Sequence, residues 1–324
     1  MFNRISQMII LLFTVAFLSN CGGGQLAEGG IGGTGISTGT ITGFGSVIVN
    51  DVHFDTTGAV VVKDDDAPVT NINDTDIDQL VSIGMVVTVK GIINDDGTTG
   101  TADTITFEDI LEGPVVGTPG GAATSFIALG QTIQVSGASI YDDGLKFIAD
   151  ILDGQVVEIS GFRDENGDIQ AAYIAKKADN YQPADEFEIK GTATVNSTYE
   201  LEIGGLTIST VIAGIDVTSF DGEFIEAKGT FDGVNTLIAS EVEIEDESFD
   251  IEDADKAELE GVAITGCVAT ACDFTMGGIT VRVDSNTQYL GTGSSALDIN
   301  AGNKLEAEGA LRGGILIADE IEFK

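Results

Sequence analysis

The chain has 324 residues, with 43 Gly, one His, three Cys and no Trp, and its 53 acidic residues face only 14 basic ones for a formal net charge of −39. A surface that negative repels phosphate backbones, which excludes nucleic acid as a partner. With one histidine and no HExxH, CxxC or nucleophile-elbow pattern, zinc hydrolysis and His-assisted nucleophilic catalysis lack their parts.

Residues 1–20 place Arg4 ahead of an apolar run over residues 8–17, too short to span a bilayer and of the form of a secretory signal. "LSNC", ending at Cys21, resembles the lipobox of bacterial lipoproteins. That resemblance implies that Cys21 becomes the first mature residue and carries acyl chains, so that a membrane is a partner through this anchor. Gly22 stands where an inner-membrane retention signal has Asp, which implies the outer membrane or the cell surface. Residues 21–39 are Gly-rich and are expected to form a flexible tether.

The rest of the chain repeats itself. "GMVVTVKG" at Gly84 returns as "GQVVEISG" at Gly154, "GEFIEAKG" at Gly222 and "GNKLEAEG" at Gly302. Apolar residues alternate with polar ones inside each copy: Val87 and Val89, Val157 and Ile159, Ile225 and Ala227, Leu305 and Ala307. Period-two alternation predicts a strand with one buried face, and the flanking glycines are expected where it enters and leaves its turns. A second strand follows each copy across a turn such as "DENGD" or "DGVN".

Each unit opens with a glycine-bearing strand. Gly43 to Gly84, Gly113 to Gly154 and Gly261 to Gly302 share a spacing of 41 residues, and Gly191 to Gly222 is ten shorter. Between these marks lies a hairpin. "VIVNDVHF" turns at Asn50–Asp51, "LEIGGLTI" at Gly204–Gly205 and "FTMGGITV" at Gly277–Gly278; "FIALGQTIQV" is expected to need a longer loop around Gly130. A short helical turn is expected before each repeated strand. The fold class predicted is all-β: tandem small five-stranded OB-like barrels with short helical turns. The expected bounds are 40–111, 112–179, 187–246 and 257–324.

The run "IGGTGISTGTITGFGSVIVNDVHFDT", the lipobox and the four repeats together resemble a family of bacterial exported proteins, domain of unknown function 5666. The resemblance implies tandem barrels on a lipid tether and supplies no catalytic residue.

Three readings concern chemistry. With Cys21 acylated, Cys267 and Cys272 remain, and an exported compartment permits a disulfide between them, on the two arms of one hairpin. Asp164, Asn166 and Asp168 of "DENGD", and "KDDD" over residues 63–66, cluster oxygen donors for calcium, although neither fits an EF-hand and the first falls where a hairpin turn is needed. His53 is expected to point outward, at the position of Ile133, Thr207 and Thr280 in the sister units. No cofactor other than calcium is implied. The functional expectation is a lipid-anchored cell-envelope protein with a non-enzymatic structural or interaction role, its partner an envelope protein or a glycan. The alternative is a calcium- or glycan-binding surface adhesion module.

Overall fold

A computed structural model describes residues 34–64, 67–70, 72–73, 75–107, 109–245 and 253–324. The expected signal (1–20), Cys21 and the tether up to residue 33 lie outside the described residues.

The chain is all-β, and its repeats are six-strand units. The first comprises β1 (Thr34–Phe44), β2 (Val47–Val49), β3 (Val52–Asp55), β4 (Val60–Lys63), β5 (Val86–Ile93) and β6 (Thr99–Phe107). The second has β7 (Leu111–Val116), β8 (Ser125–Ala128), β9 (Gln131–Gln134), β10 (Ile140–Asp142), β11 (Val156–Arg163) and β12 (Ile169–Ala178). The third has β13 (Glu186–Thr192), β14 (Thr194–Ser197), β15 (Glu200–Ile203), β16 (Leu206–Ser209), β17 (Phe224–Phe231) and β18 (Thr236–Ile244). The fourth has β19 (Ala254–Val262), β20 (Cys272–Met276), β21 (Ile279–Val283), β22 (Gln288–Leu290), β23 (Lys304–Arg312) and β24 (Ile315–Phe323).

Five strands of each unit close a small OB-like barrel. In the first the ring runs β1–β2–β3–β6–β5 and back to β1, with β3 and β6 parallel. The second closes the same way through β7, β8, β9, β12 and β11. In the third the first strand bends at Ala193, so that β13 pairs with β17 and β14 with β15. The fourth closes through a single bridge, Ala263 to Met276.

A short extra strand, β4, β10 or β22, runs parallel beside the last strand of its barrel, and a single 3-10 turn follows at Ile77–Gln79, Ile148–Asp150 or Ala296–Asp298. The third unit passes from β16 to β17 with neither. Those missing elements are the ten residues by which its glycine spacing is shorter.

The two glycines of the repeated octapeptide have separate jobs. Gly84, Gly154, Gly222 and Gly302 all have φ between 82 and 95°, the left-handed region that admits the turn into the strand. The second glycine does not end the strand, as expected from the sequence, but sits at a bulge. The register shifts at Gly91, Gly161, Gly229 and Gly309, and a Cβ at any of them would lie 2.0–2.3 Å from a carbonyl oxygen of the neighbouring strand. The extra residue is in the facing last strand of each barrel, Asp103, Ala172, Ser240 or Asp319, and bends that strand around the closure where the glycine makes room.

The hairpin pairs are those the alternation predicts: Val49 with Val52, Leu201 with Ile208, Ile203 with Leu206, Phe274 with Val281, and Met276 with Ile279. The second hairpin differs from expectation. Ala128 pairs directly with Gln131, so its turn is only Leu129–Gly130 and not a longer loop. Leu129 takes φ 43° there, and its side chain is fully buried beneath Gly113. Burial worth about 2 kcal/mol outweighs the cost of a left-handed leucine, of the order of 1–2 kcal/mol.

The barrels do not stand apart. β1 pairs in parallel with β19, joining the first and last barrels in one twelve-stranded sheet. β7 pairs with β13, joining the second and third in another. The second and third barrels share one apolar core, and Tyr173 and Ala175 of β12 pack into the core of the first. The strand β1 begins at Thr34, inside the tether bound expected at residue 39. Ser37 and Thr38 look like tether residues, yet they are buried because β1 is flanked by β5 and β19.

Candidate functional site at the junction of the barrels

One cross-strand rung recurs in all four barrels, facing away from each barrel's own core. It is Thr38–Thr88 in the first, Glu112–Glu158 in the second, Lys190–Glu226 in the third and Glu260–Glu306 in the fourth. An outward position would normally meet water. Here Thr88, Glu158, Lys190, Glu226 and Glu260 are all buried, because the barrels abut along these strands. The Val86 amide donates to Ser160 Oγ at 2.9 Å, and the Thr40 amide to Glu260 Oε2 at 2.7 Å.

Like charges opposite one another on a ladder are unfavourable, so the two Glu–Glu rungs need cations. Lys177 supplies one, 2.5 Å from Glu158 and 3.6 Å from Glu112. Burial works against its charge, but the hydrogen bond and the charge of Glu158 outweigh it and push its pKa above the ordinary lysine value. In the fourth barrel Lys304 lies 2.5 Å from Glu260, and Lys324 lies 2.8 Å from Glu306. The third barrel's rung is its own ion pair, 3.2 Å between Lys190 and Glu226, with Lys228 bridging Glu226 and Glu188.

Where the first three barrels meet, acids converge. Asp64 follows the end of β4, with φ 44° and its Oδ1 accepting the Asp109 amide at 2.9 Å. Asp109 lies in the short connector from β6 to β7. The next residue, Ile110, is tied by its amide to the Ile159 carbonyl and by its carbonyl to the Lys190 amide. The connector is thus clamped between the second and third barrels. The carboxylate oxygens of Asp64, Asp109 and Glu158 lie within 4.8 Å of one another. Glu188 of β13 faces the Asp109 carboxyl across a hydrogen bond. Asp109 Oδ1 is buried and has no hydrogen-bond partner.

Burial pushes Asp64 up to about 6, against the pull of the Asp109 amide. Burial, reinforced by Glu188, holds Asp109 well above the usual carboxylate range. Beside this cluster is a cavity of about 370 Å³ lined from all four barrels, by Thr88, Asp109, Phe162, Lys190 and Glu260 among others. A second cavity of about 640 Å³ opens between the first, second and fourth barrels, lined in part by Ile140, Asp164, Glu165 and Lys304.

The acids singled out in the sequence at residues 164 and 168 hold their own turn. Asp164 Oδ1 accepts the amides of Asn166 and Asp168 at 2.9 and 3.1 Å, and its Oδ2 accepts the Gln170 side chain at 2.8 Å. Asp168 Oδ2 accepts from Gln134 at 2.9 Å. Asp96 and Asp232 brace the equivalent turns of their barrels in the same manner. Of "KDDD", residues 65 and 66 lie outside the described residues. Cys267 and Cys272 are bonded, with Cα atoms 5.9 Å apart, and close the loop between β19 and β20.

His53 is exposed opposite Ile48. Its counterpart in the second barrel is Thr132, opposite Ile127, and not Ile133, which is buried opposite Phe126. The two-residue turn shifts the register by one from that expected. Tyr181 stacks edge-on against Phe187 and Phe231, and Tyr173 is buried with its hydroxyl on Asp142. Asp109 escaped the sequence reading. Its only signal is an acid in a connector too short to loop out between two strands.

The family model described as Domain of unknown function (DUF5666) matches residues 112–175 and 263–322. Those stretches cover most of the second barrel and the part of the fourth that follows β19; the opening run and the first barrel, where the resemblance is densest to the eye, lie outside them. No curated protein matches the chain.

Proposed function

We propose that this chain, which carries two matches to domain of unknown function 5666, is a lipid-anchored bacterial cell-envelope protein with a non-enzymatic structural or interaction role. The observation that carries the reading is the setting of β1. The tether runs straight into this strand, which is hydrogen-bonded along one edge to β5 and along the other to β19. A pull transmitted from an anchor at Cys21 would load both ladders in shear, and the last barrel of the chain would hold the first. A scaffold that must stay folded at the end of a tether benefits from such a closure. The buried polar rungs fit the same role, since they lock barrels whose separate cores are small.

Metabolic labelling with a fatty-acid analogue, followed by membrane fractionation, tests the anchor. The wild-type chain is expected to be labelled and membrane-bound, and Cys21→Ser unlabelled and released. Recovery of unlabelled, soluble wild-type chain would sink the reading. Cross-linking in intact cells tests the interaction role, with a discrete adduct to an envelope protein or glycan as the expected result.

A further inference from the structure

The three-barrel junction supports an inference that does not depend on the lipid anchor. We propose that Asp64, Asp109 and Glu158 bind one divalent hard cation, calcium in the first place, which pins the first barrel and the connector after it to the second barrel. The acids come from separate parts of the chain: the end of β4, the β6–β7 connector and β11. Their oxygens converge within 4.8 Å. That spread suits oxygens around calcium, with bond lengths of about 2.3–2.6 Å, better than around magnesium at about 2.0–2.1 Å. A donor set of carboxylates alone, with no thiolate or imidazole, disfavours zinc and copper.

The independent observation is Asp109 itself. Only 3% of its surface is exposed, one of its oxygens belongs to the convergence, and its Oδ1 has no hydrogen-bond partner. Nearly all buried polar atoms are partnered, and an orphaned carboxylate oxygen is among the costliest exceptions. The like charge of Glu188, facing the same carboxyl, adds a second cost. A cation at the convergence answers both needs.

Asp64 is only partly buried, which leaves a way in from solvent.

The test uses the full-length chain in detergent, stripped with chelator and held at about 0.15 M salt so that diffuse ion attraction is screened. Calcium is added during calorimetry and thermal melting. One saturable site per chain and a rise in Tm of several degrees are expected. Asp109→Asn should weaken calcium binding at least tenfold while melting higher than the wild type without calcium, because it removes a buried charge. Asp64→Asn, at a more exposed position, should show the same loss of binding and covers the case in which the first variant misfolds. Asp164→Asn should keep the wild-type affinity. The proposal is overturned by any of three results: no saturable heat up to millimolar calcium, equal affinity in wild type and both ligand variants, or a melting shift that sodium chloride reproduces. A junction that responds only to protons would give the first of these.

Discussion

The two joints that unite the barrels in pairs are built differently. The second and third barrels, consecutive in the chain, share a strand contact of only two rungs, Leu111–Ile189 and Glu112–Glu188, but one continuous apolar core. The first and fourth barrels are far apart in the chain and keep separate cores, to which β1 lends only Ile36 on the far side. Their joint is a four-rung parallel ladder with polar side chains buried on it: Ser37 donates to Glu258 at 3.0 Å, and Asn50 donates to Ser37 Oγ and to the Thr38 carbonyl. One joint is therefore governed by packing and the other by hydrogen bonds and protonation, and each should fail under its own stress.

Truncating the packed joint should do most. Leu111 is fully buried at the contact with Ile189, and Leu111→Ala should cost about 2–5 kcal/mol in denaturant unfolding, with little pH dependence. A loss under 1 kcal/mol would mean that the second and third barrels do not depend on their common core.

The polar joint should respond to pH. Burial pushes Glu258 up to about 8; Ser37 opposes the shift, while Glu308, Glu306 and Asp51 reinforce it. A carboxyl raised in the folded state contributes fully below its unfolded value of 4.5, and that contribution is lost as pH rises through about 8. Wild-type stability should therefore fall between these values by up to a few kcal/mol, and Glu258→Gln should flatten the decline. Urea unfolding at intervals across this window measures it, and an unchanged slope in the variant would remove Glu258 from the account.

Smaller effects sharpen the same contrast. Lys177→Met should cost about 1–2 kcal/mol, because it strips the cation from the Glu112–Glu158 rung but acts at a side chain that is one-third exposed. Asp164→Ala and Asp232→Ala should each cost roughly 1 kcal/mol by unbracing a turn, without disturbing either joint. Hydrogen exchange would show that loss confined to β11–β12 or β17–β18.

The repeated octapeptide shows how far the sequence reaches. Val87 and Val89, with their equivalents, are buried in all four barrels, because alternation reports which side of a strand faces its own core. The equal glycine spacings likewise marked three complete units and one shortened one. Leu129 was misjudged because turn chemistry is read from glycine and asparagine, and here burial of a leucine overrode it. The oxygen cluster anticipated at Asp164 braces its turn, as acids do in the other barrels' turns.

Barrel type, strand order and inner faces were thus determined by local pattern, since each depends on residues a few positions apart. The fate of the outer faces was decided only in three dimensions. Thr88, Glu158, Glu226 and Glu306 occupy one position of the repeat, and nothing near them in the chain says which meets water. The surroundings of Glu158 are a lysine in β12, an acid of the first barrel and one in the connector, and β1 became a central strand because a segment more than 200 residues away lies beside it. Alternation carries no information about partners that distant, and those partners make the junction.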